Sequence, residues 1–206
     1  PPSPSMRLRQ LSMLLSKLEK CENSNVELEQ YPTSGDLAAR WIFDIAAFGD
    51  LQEDASVLDL GAGNGILAIG ALHLGAKKAI LVDSDRICCE VSRRNVESLA
   101  ETKSCEVLET DVSSLDSDLG HIDLVISNPP WGRQKEKADA PFLDLIESIG
   151  VVSHIMHSSD AKHIRTRFEE AGWSVEKYGE ADFAIPASFD HHRSSRGVTK
   201  AGFWRL

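Results

Sequence analysis

The stretch that most restricts how this chain folds is Ser56-Val57-Leu58-Asp59-Leu60, which runs into Gly61-Ala62-Gly63-Asn64-Gly65 and then into Ile66-Leu67-Ala68-Ile69-Gly70-Ala71-Leu72. A short apolar run, a glycine cluster and a segment of helical spacing predict strand, tight loop and helix. Glycines there admit φ > 0 and let backbone approach a ligand closely. The dinucleotide fingerprint needs a glycine at position 66, where this chain has Ile66, so the spacing is GxGxG and no pyrophosphate cradle is implied.

The alternation continues downstream. Residues 79–82 form a second apolar run ending on Asp83, and 86–100 have helical spacing. Further strands are predicted at 106–108, 123–127, 149–156, 173–178 and 199–206, with helices near 141–148 and 159–171. Upstream, Leu8, Leu11, Leu15 and Leu18 mark a short amphipathic helix within 6–20. Ser34 is an N-cap candidate for a helix carrying Leu37, Ala38, Trp41, Ile42, Ile45 and Phe48. Such alternation implies an α/β fold with a mostly parallel sheet of seven strands and helices on both faces. At 206 residues a single domain over 6–206 is expected, with 6–27 as an N-terminal helical extension. Residues 1–5, PPSPS, read as a vector remnant or disordered tail.

Several classes drop out. Cys21, Cys88, Cys89 and Cys105 contain no CxxC pair, which suits neither a disulfide framework nor a zinc cage and points to a reducing cytoplasm. No apolar run approaches a membrane span, so no membrane partner is expected. The net charge of −10 counts against a surface that grips nucleic acid on all sides. By segment the charge is uneven. Between residues 97 and 123 the acids Glu97, Glu101, Glu106, Glu109, Asp111, Asp116, Asp118 and Asp123 face one base, Lys103, and should repel phosphate. Arg133, Lys135 and Lys137, then Arg193, Arg196, Lys200 and Arg205, with Arg7 and Arg9, predict a basic rim beside a pocket. His191 and His192 lack a second ligand cluster, and no metal is expected.

The GxGxG loop resembles motif I of S-adenosylmethionine-dependent methyltransferases, in which the loop passes beneath the amino-acid part of the cofactor. Asp83 ends the second strand, where an acid can accept hydrogen bonds from both ribose hydroxyls. Asp111 follows the third strand and, by the same resemblance, would meet the adenine amine.

The most specific motif is Ser127-Asn128-Pro129-Pro130-Trp131-Gly132, directly after an apolar strand and hence at the carboxyl end of the sheet, where α/β proteins place ligands. Asn-Pro-Pro is also a good turn, and a tryptophan a good core residue. Yet the lone pair of an adenine or amide nitrogen is delocalised and a poor nucleophile. If the Asn128 side-chain oxygen and the Pro129 carbonyl each accept one of its N–H groups, the nitrogen is drawn toward tetrahedral geometry and its lone pair toward the donor methyl. Pro129 and Pro130 stiffen this arrangement. Trp131 is expected to stack on an extruded base.

LEQYPT at 28–33, DLGAGNG at 59–65, NPPWG at 128–132, APFL at 140–143, HSS at 157–159 and IPASF at 185–189 together resemble the methyltransferase-like family that makes N6-methyladenine in small-subunit ribosomal RNA, in its archaeal form. The resemblance spans nearly all of 6–206. It implies a Rossmann-like class I methyltransferase fold, S-adenosyl-L-methionine as cofactor and structured, ribosomal RNA as substrate. By position it implies Gln30 and Thr33 over the methionine end, Asp59, Gly61, Asn64 and Ile66 around the main pocket, Asp83 at the ribose and Asp111 with Val112 at the adenine. Asn128, Pro129, Pro130 and Trp131 would be catalytic. Eukaryotic members mostly carry Phe where Trp131 stands, and depend on a small zinc-binding activator subunit paired to a sheet edge; the strand around 106–108 would serve here. Two alternatives stay open: a protein-glutamine N5-methyltransferase, which uses the same NPP logic on an amide, and a non-catalytic RNA-binding protein on the same fold. The first normally has Tyr at position 131 and an added N-terminal helical domain; the intact set Asp59, Gly61, Gly63, Asp83, Asn128 and Trp131 speaks against the second.

Overall fold

The computed structural model describes residues 6–22, 32–132, 135–184 and 198–206. Strands β1 (Ser56–Leu60), β2 (Lys78–Asp83), β3 (Ser104–Glu109), β4 (Leu124–Ser127), β5 (Ser153–Ser158), β6 (Glu176–Ala184) and β7 (Val198–Arg205) form one sheet in the order β3-β2-β1-β4-β5-β7-β6. Strands β1 to β5 run parallel. β7 is antiparallel to β5, and β6 to β7. The expected seven-stranded, mostly parallel sheet is present.

Period-two burial explains why helices cover both faces. Val57, Ala79, Leu81, Leu124, Ile126, Met156 and Phe203 point into one core, shared with α1 (Leu8–Ser16), α2 (Gly35–Ala47) and α3 (Ile66–His73). Their neighbours Leu58, Ile80, Val82, Val125, Ile155 and Trp204 point into the other, under α5 (Ala140–Ile149) and α6 (His163–Glu170). α3 is apolar all round and buried from Ile66 to Leu72. None of the described helices is long and apolar enough to cross a membrane.

Local signals set the boundaries. Ser34 caps α2, its side chain accepting from the Leu37 N–H at 3.2 Å. Asp85 caps α4 (Arg86–Val96), a helix that stops four residues before the expected end. The apolar run at 149–156 divides: Ile149 closes α5, Gly150 ends it at φ 71°, and only Ser153–Ser158 is strand. Trp173, expected in a strand, packs edge-on against Phe168 of α6, with centroids 5.2 Å apart. β6 extends through polar residues to Ala184, beyond the expected end at 178, because it forms an edge of the sheet.

The basic rim is narrower than the sequence suggests. Arg205 pairs in register with His154, the second residue of β5, so it lies at the far end from the glycine loop and clasps Asp50 through two nitrogens at 2.7 and 2.9 Å. Lys200 is paired with Asp182 at 2.7 Å. Lys135 and Lys137 are exposed, whereas Arg133, Arg193, Arg196, His191 and His192 lie outside the described residues.

Candidate active site

Strand order reverses between β1 and β4, which opens a crevice at their carboxyl ends. Leu60 pairs with Ser127 in register, and the Ser127 hydroxyl donates to the Leu60 carbonyl at 2.9 Å. Gly61 and Asn128 therefore leave the sheet side by side. A Cβ on Gly61, at φ 74°, would lie 3.2 Å from Phe142 Cε1 and 3.7 Å from the Asn128 carbonyl oxygen. Glycine is what lets the first loop, the NPPW loop and α5 share one wall.

The glycine loop is tied on both sides. Gly61 and Ala62 donate to the Val82 carbonyl at 2.8 and 2.9 Å, and Gly63 donates to Asp83 Oδ2 at 2.8 Å. Ser92 donates to the Gly63 carbonyl at 2.7 Å, and Asn95 Nδ2 to the Asn64 carbonyl at 2.9 Å. Asn64 Nδ2 donates to the Glu19 carbonyl at 3.0 Å, and Asn95 holds the same residue through its N–H and its carbonyl. Arg94 grips the Glu19 carboxylate at 2.7 and 2.9 Å. The N-terminal extension is thus part of the site, which the sequence reading missed. A signal existed: Ser92 and Asn95 are polar residues in register with Cys88 and Val91 on the buried face of α4.

Asp59 is fully buried beneath the loop. Its Oδ2 accepts from the Ala68 N–H at 3.1 Å, while Oδ1 has no partner among the described residues. Burial, with a smaller push from the charge of Asp83, raises its carboxyl to about 7 against the Ala68 bond. Asp83, also raised by burial, accepts the Asp85 N–H on Oδ1 at 2.8 Å and the Gly63 N–H on Oδ2. Asp111 is exposed and caps the 3-10 turn Val112–Ser114. Two hydrogen bonds from Ser113 lower its carboxyl, and Val112 is buried beside it. Ile66 opens α3, its N–H donating to Asn64 Oδ1 at 3.3 Å. Thr33 stands half-buried just before the Ser34 cap; Gln30 lies outside the described residues.

The fold brings Asp59, Gly61, Asp83 and Asn128 to Trp131 together at the carboxyl ends of β1, β2 and β4, with Asp111 and Val112 following β3. The Trp131 ring has an environment the sequence did not disclose. Only 8% exposed, it stacks on His157 (centroids 6.1 Å, planes 17° apart), packs on Phe183 (5.2 Å) and donates its indole N–H to Asn128 Oδ1 at 3.1 Å. Little of the ring is left open for a base in this arrangement.

Behind Trp131 lies a buried carboxylate. Asp139, at the head of α5, accepts from His157 Nε2 at 2.9 Å and His163 Nε2 at 2.6 Å through one oxygen. The Ser158 N–H donates to His157 Nδ1 at 2.8 Å, so Nε2 carries the hydrogen that goes to Asp139. Burial pushes the Asp139 carboxyl up, but the two histidines outweigh it and hold it below the usual carboxylate range. The three ligating atoms lie within 4.8 Å of one another. Both histidine contacts are nevertheless hydrogen bonds, and the acceptor role of Nδ1 leaves His157 without the second ring N–H that a metal-bound histidine normally donates outward. Contact with Asp139 raises the His163 imidazole. The stability this pair adds is fully present below pH 6.5 and lost as pH rises through the raised value. His163 is half-exposed, so His163→Gln should cost at most about 1 kcal/mol at pH 6 and almost nothing at pH 9, read from urea midpoints at the two pH values.

A family model described as Ribosomal protein L11 methyltransferase (PrmA) matches residues 39–129, less than half of the chain. Similarity over the whole length decides the family. The rRNA N(6)-adenosine-methyltransferase METTL5 of Danio rerio is 32% identical over 206 residues, covering 98% of this chain and 99% of the relative. The chain belongs to the METTL5 family. The uncharacterized protein MJ0284 of Methanocaldococcus jannaschii is 36% identical over 196 residues, 91% of this chain and 88% of its own. The crystal structure of PH1948 from Pyrococcus horikoshii, proposed there to be an RNA methyltransferase, matches with a TM-score of 0.85 at 33% identity and covers 97% of each chain. The fold is therefore that of a Rossmann-like class I methyltransferase. Its methyl donor is S-adenosylmethionine, and the residues present fit it. Among the described residues Asp59 Oδ1 is a buried acceptor without a partner and a Cβ on Gly63 would meet nothing within 4 Å, which leaves room against the loop backbone.

Proposed function

We propose that this chain methylates N6 of an adenosine in RNA, with small-subunit ribosomal RNA as the target. The observation that carries the reading is the Asn128 amide, fixed with its oxygen end defined by the Trp131 N–H, beside the glycine loop at the carboxyl end of β4. The name of the full-length zebrafish relative adds the substrate class. When bound, S-adenosylmethionine supplies an electrophilic methyl group. Asn128 Oδ1 and the Pro129 carbonyl accept the two N–H groups of the target amine, which turns its lone pair toward that methyl. Pro129 and Pro130 keep both acceptors in place, and Trp131, backed by Phe183, holds the Asn128 amide. Asp83 faces the ribose and Asp111 with Val112 the adenine of the cofactor. Gln30 and Thr33 close the methionine end.

RNA approaches on the side of Lys135 and Lys137, exposed bases that follow the NPPW loop. Among the described residues β3 is a sheet edge whose only neighbour is β2, and a small zinc-binding activator subunit pairs there in this reading. Full activity of the isolated monomer would remove that partner. Cys21, Cys88, Cys89 and Cys105 form no disulfide among the described residues, which suits the cytoplasm. The test of function uses S-adenosylmethionine with a tritiated methyl group, offered total RNA and, separately, ribosomal protein. Label should enter RNA only and map to N6-methyladenosine of the small subunit. Label in a protein glutamine would replace this reading with amide methylation.

A further inference from the structure

We propose that Asp139 is a positioning residue for methyl transfer, acting through His157 and Trp131 on the orientation of the Asn128 amide. The inference rests on the reading of Asn128 as the acceptor of the target amine. An asparagine amide turned by 180° has almost the same shape but presents N–H donors where the oxygen was. Such a flip would place donors against the substrate N–H groups. The Trp131 indole N–H is a donor only, and at 3.1 Å it tolerates only the oxygen end of Asn128. What fixes Asn128 is thus whatever fixes Trp131.

That support is the ring of His157, stacked 17° from the indole plane, with Phe183 at its side. His157 cannot turn, because both of its nitrogens are taken: Nδ1 by the Ser158 N–H and Nε2 by Asp139. Asp139 itself is held by the start of α5, where its carbonyl accepts from Phe142 and Leu143, and Phe142 is the side chain that meets the space above Gly61. One buried carboxylate therefore indexes the NPPW loop to α5 and to the wall of the cofactor pocket. His163 is the second donor on the same oxygen and keeps it aimed.

The experiment is a double-mutant cycle in steady-state methylation of RNA, run alongside hydrogen exchange of the Trp131 indole N–H by NMR. Asp139→Ala should lower kcat roughly 10- to 100-fold while cofactor Kd and RNA KM stay within about twofold, since misplacement by less than an ångström acts on the reacting geometry alone. The same variant should expose the Trp131 N–H to faster exchange. Asp139→Asn keeps an oxygen for His157 and should restore most of kcat. In a Trp131→Phe background the indole N–H is gone, so Asp139→Ala should lower kcat no further. Additive losses would overturn the proposal, as would native kcat and unchanged exchange in Asp139→Ala. Zinc bound by the isolated chain and lost in Asp139→Ala would instead assign Asp139, His157 and His163 to a metal. If the native chain methylates no RNA either alone or with an activator subunit, the functional reading fails, and indole exchange still decides whether Asp139 positions Trp131.

Discussion

Asn128→Ala should all but abolish methyl transfer, lowering kcat about 10²- to 10³-fold, the scale set by loss of one preorganised transition-state partner. Cofactor affinity by calorimetry should stay near native, because Asp59, Gly63 and Asp83 belong to other strands and loops. The variant also strips the Trp131 N–H of its acceptor at a ring only 8% exposed, which should cost about 1–3 kcal/mol of stability. Asn128→Asp separates the two effects. It retains acceptors for both the indole and the amine, so stability should return along with part of the activity. Native kcat in Asn128→Ala would falsify the mechanism.

Asp59→Asn should move stability and binding in opposite directions. The Asp59 carboxyl is raised to about 7 in the folded chain from an ordinary 3.8. An acid shifted this way costs folding nothing below pH 3.8, and its penalty grows as pH climbs from there to about 7. Asparagine keeps an oxygen for the Ala68 N–H and carries no charge. The ligand-free variant should therefore melt several degrees higher at pH 8, at roughly 2–4 °C per kcal/mol in a domain of this size, with the gain vanishing toward pH 4. S-adenosylmethionine carries an ammonium and a sulfonium, and without the carboxylate its Kd should rise on the order of 10- to 100-fold, the scale of a charge-assisted hydrogen bond lost. A destabilised variant with intact affinity would remove Asp59 from the cofactor site.

Legibility in the sequence followed locality. The sheet could be read because each parallel strand carries a short apolar run and each crossover has helical spacing. Asp59, Gly61, Asp83 and Asn128 could be read because a strand's last residue defines where the following loop begins. Partners distant along the chain could not be read. Glu19 reaches Asn64 and Asn95 across 45 and 76 positions, and His157 reaches Asp139 across 18, with no periodicity to mark either. Charge misled for the same reason: Arg205 looked like part of an RNA-facing rim, but antiparallel β7 carries it to the opposite end of the sheet, onto Asp50. Trp131 was expected to stack on a base, but its packing on Phe183 depends on β6, some fifty residues later.

The placement of β7 between β5 and β6 also imposes a timetable on the ribosome that makes this chain. β6 leaves the exit tunnel before the strand that joins it to the sheet, and until β7 arrives β5 has an open edge and β6 has no neighbour. Phe183 reaches Trp131 only when Thr199 has paired beside it. A nascent chain with glycine loop and NPPW motif already translated therefore lacks the Phe183 packing that backs Trp131, and that contact waits until β7 is threaded into place.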